Sequence, residues 1–221
     1  MNESINTRVF LLDAHPIMRV GLSVVIEKQM DLTVSGESSS GREVVEALRK
    51  DPTDVLVTDL ALGDMNGLEL VKQVRNEYPD LSILVFSSHD EEIFAQRALK
   101  AGANGYLMKS TPVSELLKSI RQISRAELAL SKCQSDELLK RMFGAAKNSD
   151  SPLSCLSNRE LEVFEFLGRG VKSRDIAERL FISKKTVEAH LAHIKRKLNL
   201  KSQVELWRMA FGWINDLEPK S

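Results

Sequence analysis

The chain has 221 residues, enough for two modest domains, and its 43% hydrophobic and 28% charged side chains exclude a largely disordered protein. Its formal net charge is zero, but residues 1–153 hold 18 basic against 22 acidic side chains (−4) and residues 154–221 hold 13 against 9 (+4), so a small basic unit follows an acidic body. No apolar run is long enough to span a membrane, and residues 1–7 lack the regions of a signal peptide; a cytoplasmic protein with no membrane partner is expected, with Cys133 and Cys155 as free thiols.

Residues 9–12 form an apolar strand that ends on Asp13. His15-Pro16 follows, with proline at a helix start, and the helix runs through Ile17, Val20 and Val24 to about Lys28. Residues 32–35 are a second strand and residues 42–50 a second helix, stopped by Asp51-Pro52. Residues 55–57 are all apolar, with β-branched Val55 and Val57, which predicts a strand buried on both faces, and Asp59 lies just beyond it. After a loop bearing Gly63, Asn66 and Gly67, helical spacing returns at Leu68, Val71 and Val74 until Pro79. Residues 83–86 are a fourth strand ending in Ser87-Ser88, residues 91–101 a helix stopped by Gly102, and residues 105–108 a fifth strand ending in Lys109. Val113, Leu116, Ile120 and Ile123 mark one more helix.

Strand and helix alternate five times, which predicts a doubly wound α/β unit: a five-stranded parallel sheet with helices on both faces. Right-handed crossovers bring the strand ends to one edge, where Asp13, Asp59, Ser87 and Lys109 meet. That set suits phosphoryl chemistry. Asp59 can attack a phosphoryl group to give an acyl phosphate. Asp13 can help hold Mg²⁺, Lys109 offers a positive charge to phosphoryl oxygens, and Ser87 can hydrogen-bond one of them.

With those landmarks, residues 8–125 resemble the receiver domain of two-component response regulators, a flavodoxin-like fold. The resemblance implies Asp59 as phosphoacceptor, Ser87 as switch hydroxyl, Tyr106 as switch aromatic, Lys109 as the phosphoryl-binding lysine, and a Mg²⁺ site made by Asp13, Asp59 and the backbone carbonyl of Ala61. Two positions depart from the family pattern. Ala14 stands where the family usually has a second acid, a direct Mg²⁺ ligand, and Leu62-Gly63 replaces the usual Met-Pro. A lost carboxylate weakens a hard-cation site, so weak Mg²⁺ binding is expected. The alternative is a pseudo-receiver acting without phosphorylation. A phosphatase of the haloacid-dehalogenase type needs a second acid where Ala61 sits and is disfavoured.

Residues 126–153 read as a linker. Within it, residues 136–143 form a possible short helix with Ser135 as N-cap, and the breaker-rich stretch 144–152 follows.

Residues 154–216 read as an all-α unit of four helices. Ser157 and Glu160 make a capping box before an apolar face of Leu161, Phe164 and Leu167, ended by Gly168 or Gly170. Ser173 is expected to cap a second helix carrying Ile176, Ala177 and Leu180, and Ser183 a third. On the third helix Val187, Leu191, Ile194 and Leu198 share a stripe, while Lys185, Ala189, Ala192 and Arg196 lie almost opposite, flanked by Glu188 and His193. Two alanines between two cations give a low, positive face that fits a major groove. The fourth helix carries Val204, Trp207, Phe211 and Ile214 on one side and Leu206, Ala210 and Trp213 on another, so it needs a second partner surface.

Leu156-Ser157-Asn158-Arg159-Glu160-Leu161-Glu162-Val163, Asp175-Ile176-Ala177 and the stretch from Ile182 to Leu198 are similar to a LuxR-type helix-turn-helix, so the whole chain resembles NarL/FixJ-family response regulators. The resemblance implies a DNA-binding transcription regulator, not a conventional enzyme. Such a regulator is expected to read promoter DNA through Lys184, Lys185, Glu188, Ala189, Ala192, His193 and Arg196 and to form a homodimer through Val204, Trp207 and Phe211. A sensor histidine kinase or a small phosphodonor is the implied phosphoryl source, and RNA polymerase is a further candidate partner.

Overall fold

A computed structural model describes residues 6–89, 91–131, 135 and 152–217. The chain divides into two compact units, Met1–Ala145 and Ala146–Ser221.

The first unit is a five-stranded parallel sheet in the order β2-β1-β3-β4-β5, built from β1 (Thr7–Leu12), β2 (Leu32–Ser38), β3 (Val55–Thr58), β4 (Ser82–Ser87) and β5 (Gly105–Met108). Between them run α1 (Pro16–Glu27), α2 (Gly41–Lys50), α3 (Gly67–Glu77) and α4 (Glu91–Ala101), and α5 (Val113–Ile123) follows β5. β3 and β4 are buried along their whole length, as their unbroken apolar runs require. β2 is an edge strand three residues longer than expected; its outer half, Gly36-Glu37-Ser38, has no apolar pattern and is held by pairing to β1 across a bulge at Val9/Phe10. One core cluster joins Val9, Leu11, Val55, Val57, Leu84 and Phe86 of the sheet to Leu22, Ile26, Leu116 and Ile120 of α1 and α5.

The apolar residues that trace α1 in the sequence are not its buried face. Leu22 and Ile26 are buried, whereas Ile17, Val20 and Val24 are 88%, 61% and 50% exposed. The helix carries two apolar stripes, and periodicity does not say which one turns inward. His15 is its N-cap residue but makes no side-chain cap, because its ring is turned towards Asp13.

Strand order reverses between β1 and β3, where Leu12 sits opposite Thr58. Asp13 and Asp59 are therefore neighbours at the sheet's topological switch point, where open α/β sheets bind ligands. Gly67 opens α3 against the loop that follows Asp59: a Cβ there would fall 2.4 Å from the Leu60 Cα. Gly67→Ala should therefore cost about 1–3 kcal/mol in the stability of this unit, because backbone rather than a flexible side chain must move; equilibrium denaturant unfolding measures it.

The second unit holds α6 (Asn158–Gly168), α7 (Ser173–Arg179), α8 (Lys184–Lys197) and α9 (Gln203–Leu217), after a short 3₁₀ turn at Pro152–Cys155. Its core is Leu161, Phe164, Ile176, Val187, Leu191, Ile194, Leu206 and Ala210. The Ser157–Glu160 capping box is formed in both directions, and Gly170, at φ 74°, follows the end of α6. Ser173 is the first helical residue of α7 rather than its cap; Lys172 holds the cap position without a side-chain bond. Ser135 is itself helical, its amide donating to the Ser131 carbonyl, so it is not an N-cap. The helix expected over 136–143 and the stretch 144–151 lie outside the described residues. Among the described residues no helix is long and apolar enough to cross a membrane.

Candidate functional site

The strand ends of the first unit converge on Asp59. Its carboxylate is buried and takes charge-assisted hydrogen bonds on both oxygens. Oδ1 accepts from the Ser87 hydroxyl at 2.6 Å and from the Leu60 amide at 2.6 Å, and Oδ2 accepts from Lys109 Nζ at 2.6 Å. Burial pushes the Asp59 carboxyl pKa up, but the Lys109 charge, its hydrogen bond and those from Ser87 and the Ala61 amide outweigh it, so the group lies below the usual carboxylate value. Lys109 also reaches Asp13 Oδ2 at 2.6 Å, so one ammonium bridges two buried carboxylates. Its own position is fixed by its amide donating to the Ser87 carbonyl at 2.8 Å.

Asp13 is oriented from both ends. Its Oδ1 accepts from the His15 amide at 2.8 Å, and its carbonyl accepts from Arg19 Nη1 at 2.7 Å. The oxygens of Asp13 and Asp59 suit a divalent cation, and Ala61 lies two residues beyond Asp59 in the adjoining loop. The side chain of Ala14, where the family pattern has an acid, offers no ligand atom.

Tyr106 is fully buried, and its hydroxyl donates to the His89 carbonyl at 2.8 Å. The His89 ring packs on Phe94 with centroids 4.6 Å apart. The loop after Ser87 is thus tied to the aromatic ring of β5.

Asp64 is a site residue that no local pattern announces. Its carboxylate accepts from the Ser40 hydroxyl at 2.8 Å and from the Gly41 and Arg42 amides at 3.0 Å each. It anchors the Asp59 loop to the N-terminus of α2, where helix amides favour an anion. Burial raises its carboxyl pKa, and these donors lower it by more. An acid six residues beyond the end of β3 carries no sequence signal that it caps a helix earlier in the chain.

In the second unit α8 has Val187, Leu191 and Ile194 buried, while Lys184, Lys185, Glu188, Ala189, Ala192, His193 and Arg196 are all exposed. Lys184 pairs with Glu188 at 3.3 Å. The turn before α8 passes through Phe181 in the left-handed region at φ 51°, and Ser183 caps the helix by accepting from the Thr186 amide at 3.0 Å. A tie between α6 and α8 also has no signal in the sequence. Lys197 Nζ donates to Glu160 Oε2 at 2.6 Å, the same oxygen that accepts the Ser157 amide. Burial raises the Glu160 carboxyl pKa, and Lys197 with the capping-box donors lowers it by more. Lys197, the last cation of its run, is therefore tied to the scaffold. On α9, Val204, Trp207 and Phe211 are exposed and Trp207 stacks on Phe211, but Ile214, expected beside them, is buried with Leu206 and Ala210.

Residues 9–121 match the response regulator receiver domain, and residues 154–210 match the bacterial regulatory proteins of the luxR family. The chain belongs to the two-component response regulators with a LuxR-type DNA-binding domain. The regulator is 33% identical over 206 residues to the oxygen regulatory protein NreC of Staphylococcus epidermidis, covering 90% of this chain and 94% of that one. RcsB of Salmonella typhimurium shares the regulator's fold at a TM-score of 0.67 and 23% identity, covering 94% and 98% of the two chains. RcsB of Salmonella enterica serovar Typhimurium bound to promoter P1flhDC, in the presence of phosphomimetic BeF3-, is similar at a TM-score of 0.62 and 25% identity, covering 93% and 98%.

Proposed function

We propose that the regulator is a cytoplasmic transcription factor switched by phosphorylation of Asp59 and acting as a homodimer on promoter DNA. The observation that carries this reading is the setting of Asp59: a buried carboxylate held ionised by Lys109 and Ser87 at a sheet's switch point. In the transfer step an Asp59 oxygen forms a bond to phosphorus, and the bond from phosphorus to the donor's leaving group breaks, the electron pair leaving with that group. The donor is a histidine kinase or a small acyl phosphate. Lys109 is placed to neutralise the added phosphoryl charge, and Ser87, released from Asp59, is placed to donate to a phosphoryl oxygen. Mg²⁺ held by Asp13, Asp59 and the Ala61 carbonyl would supply further charge neutralisation when bound. A shift of Ser87 acts on the loop that Tyr106 holds through the His89 carbonyl, which links Asp59 to the surface of the unit.

The second unit reads DNA through the exposed face of α8, with Lys184, Lys185, Glu188, Ala189, Ala192, His193 and Arg196 as contacts. Val204, Trp207 and Phe211 pair with a second copy. A stacked and exposed aromatic pair on a short terminal helix supports that assignment. The promoter-bound RcsB complex supports the DNA partner, and RNA polymerase would be met at the promoter.

The test is intact-protein mass after acetyl phosphate treatment, with and without divalent cation, on wild type and Asp59→Asn. A single phosphoryl adduct that depends on the cation and vanishes in Asp59→Asn is expected. The competing reading, a receiver acting without phosphorylation, is favoured by Ala14. It is established if no adduct forms at saturating cation while the wild type still binds DNA.

A further inference from the structure

In the sequence His15 is marked only as the residue before a helix-opening proline. In the structure its backbone amide and its ring both turn back onto Asp13: the amide donates to Oδ1 at 2.8 Å, and ring Nδ1 lies 3.1 Å from the same oxygen. The ligand atoms of Asp13, His15 and Asp59 all lie within 4.8 Å of one another. Donors about 2.0–2.2 Å from a shared cation lie roughly 3–4 Å apart. The ring is 68% exposed while the Asp13 side chain is 4% exposed, so a small rotation of the freer partner closes the set. Ala14 contributes no side-chain ligand, and Lys109 already offsets the charge of one of the two carboxylates.

A pocket with two carboxylates, one ammonium and one imidazole differs chemically from an all-oxygen pocket. Mg²⁺ favours hard oxygen donors and keeps its waters. Imidazole favours the first-row transition dications, whose affinity for nitrogen ligands rises along the series from manganese. We propose that His15 stands in for the missing carboxylate as a metal ligand and makes the Asp13–Asp59 pocket selective for a first-row transition dication over Mg²⁺. This rests on reading that pocket as a cation site, and it names the class of cation the site takes.

The test uses the full chain with no phosphodonor. Co²⁺ binding is followed by visible absorption and isothermal titration, and Mg²⁺ binding by titration, on wild type, His15→Ala and Ala14→Asp. Wild type should bind Co²⁺ at least about tenfold more tightly than Mg²⁺. His15→Ala should lose about ten- to a hundredfold in Co²⁺ affinity, with Mg²⁺ affinity changed less than about twofold because no oxygen ligand is removed. Ala14→Asp should tighten Mg²⁺ and narrow the gap. His15→Ala binding Co²⁺ as tightly as wild type, or losing both cations equally, overturns the proposal. Far-UV circular dichroism monitors folding, and His15→Gln repeats the arm with a polar side chain of weak ligand strength. The two readings fail separately. Co²⁺ binding that depends on His15, without a phosphoryl adduct, removes the phosphorylation switch and leaves the cation class standing. An adduct without any His15 dependence does the reverse.

Discussion

Lys109→Met should destabilise the N-terminal unit by about 3–5 kcal/mol, the cost of leaving buried charges without their partner. Lys109 Nζ lies 2.6 Å from a carboxylate oxygen of both Asp13 and Asp59, and all three side chains are at most 8% exposed. Methionine keeps much of the volume but leaves two buried carboxylates facing each other. Denaturant unfolding of wild type and variant near neutral pH measures the difference. The same contact sets a pH dependence. Burial raises the Asp59 pKa, the Lys109 charge and the hydrogen bonds lower it by more, and the folded value falls below the reference of 3.8. Folding through this group is therefore stabilised above pH 3.8 and loses that stabilisation as the pH falls from there through the folded value. Lys109→Met should lose less stability than wild type on acidification through that range. Equal acid sensitivity in both proteins would show that Lys109 does not hold Asp59 ionised.

Lys185→Ala and Arg196→Ala together should weaken promoter binding and flatten its salt dependence, each lowering the log–log slope by about 0.9. The two cations are exposed at opposite ends of one face of α8. They are 11 residues apart in the sequence, which at 1.5 Å per residue is about 16 Å along the helix. The major groove is about 12 Å wide, so with α8 in the groove as proposed the ends of that face would reach the phosphate walls, and Ala189 and Ala192 would lie over the base edges between them. Loss of affinity should accordingly be similar for specific and unrelated DNA. Binding measured at several salt concentrations, on both DNAs, decides it. A loss confined to the specific site would reassign one of the cations to a base edge.

The alternation of elements and the four polar residues at the strand ends were legible in the sequence because each rests on local pattern. A buried strand declares itself by an unbroken apolar run, and a polar residue just beyond it lies at the ligand edge. What stayed hidden depends on choices among equivalent local options. The α1 sequence offers two apolar stripes, and only packing against α5 and the sheet selects Leu22 and Ile26 over Ile17, Val20 and Val24. Ile214 lies at the border between the two faces of α9, and contact with the rest of its unit turns it inward. Asp64, His15 and Lys197 were missed for a related reason. Each acts through a bond to a group whose nearness is set by a turn or by tertiary packing, and their sequence neighbourhoods are those of ordinary surface residues.

The stacked ring pair on α9 also has an optical consequence. The chain has two tryptophans, Trp207 and Trp213, and both lie on this helix. Trp207 is 43% exposed and stacks on Phe211 at 5.1 Å, whereas Trp213 packs against Phe164 at 5.6 Å. Intrinsic tryptophan emission therefore originates wholly in the C-terminal unit. Aqueous quenchers will divide it into an accessible and a shielded fraction. A change in that division on treatment at Asp59 would be a signal passed from one unit to the other, recorded without any added label.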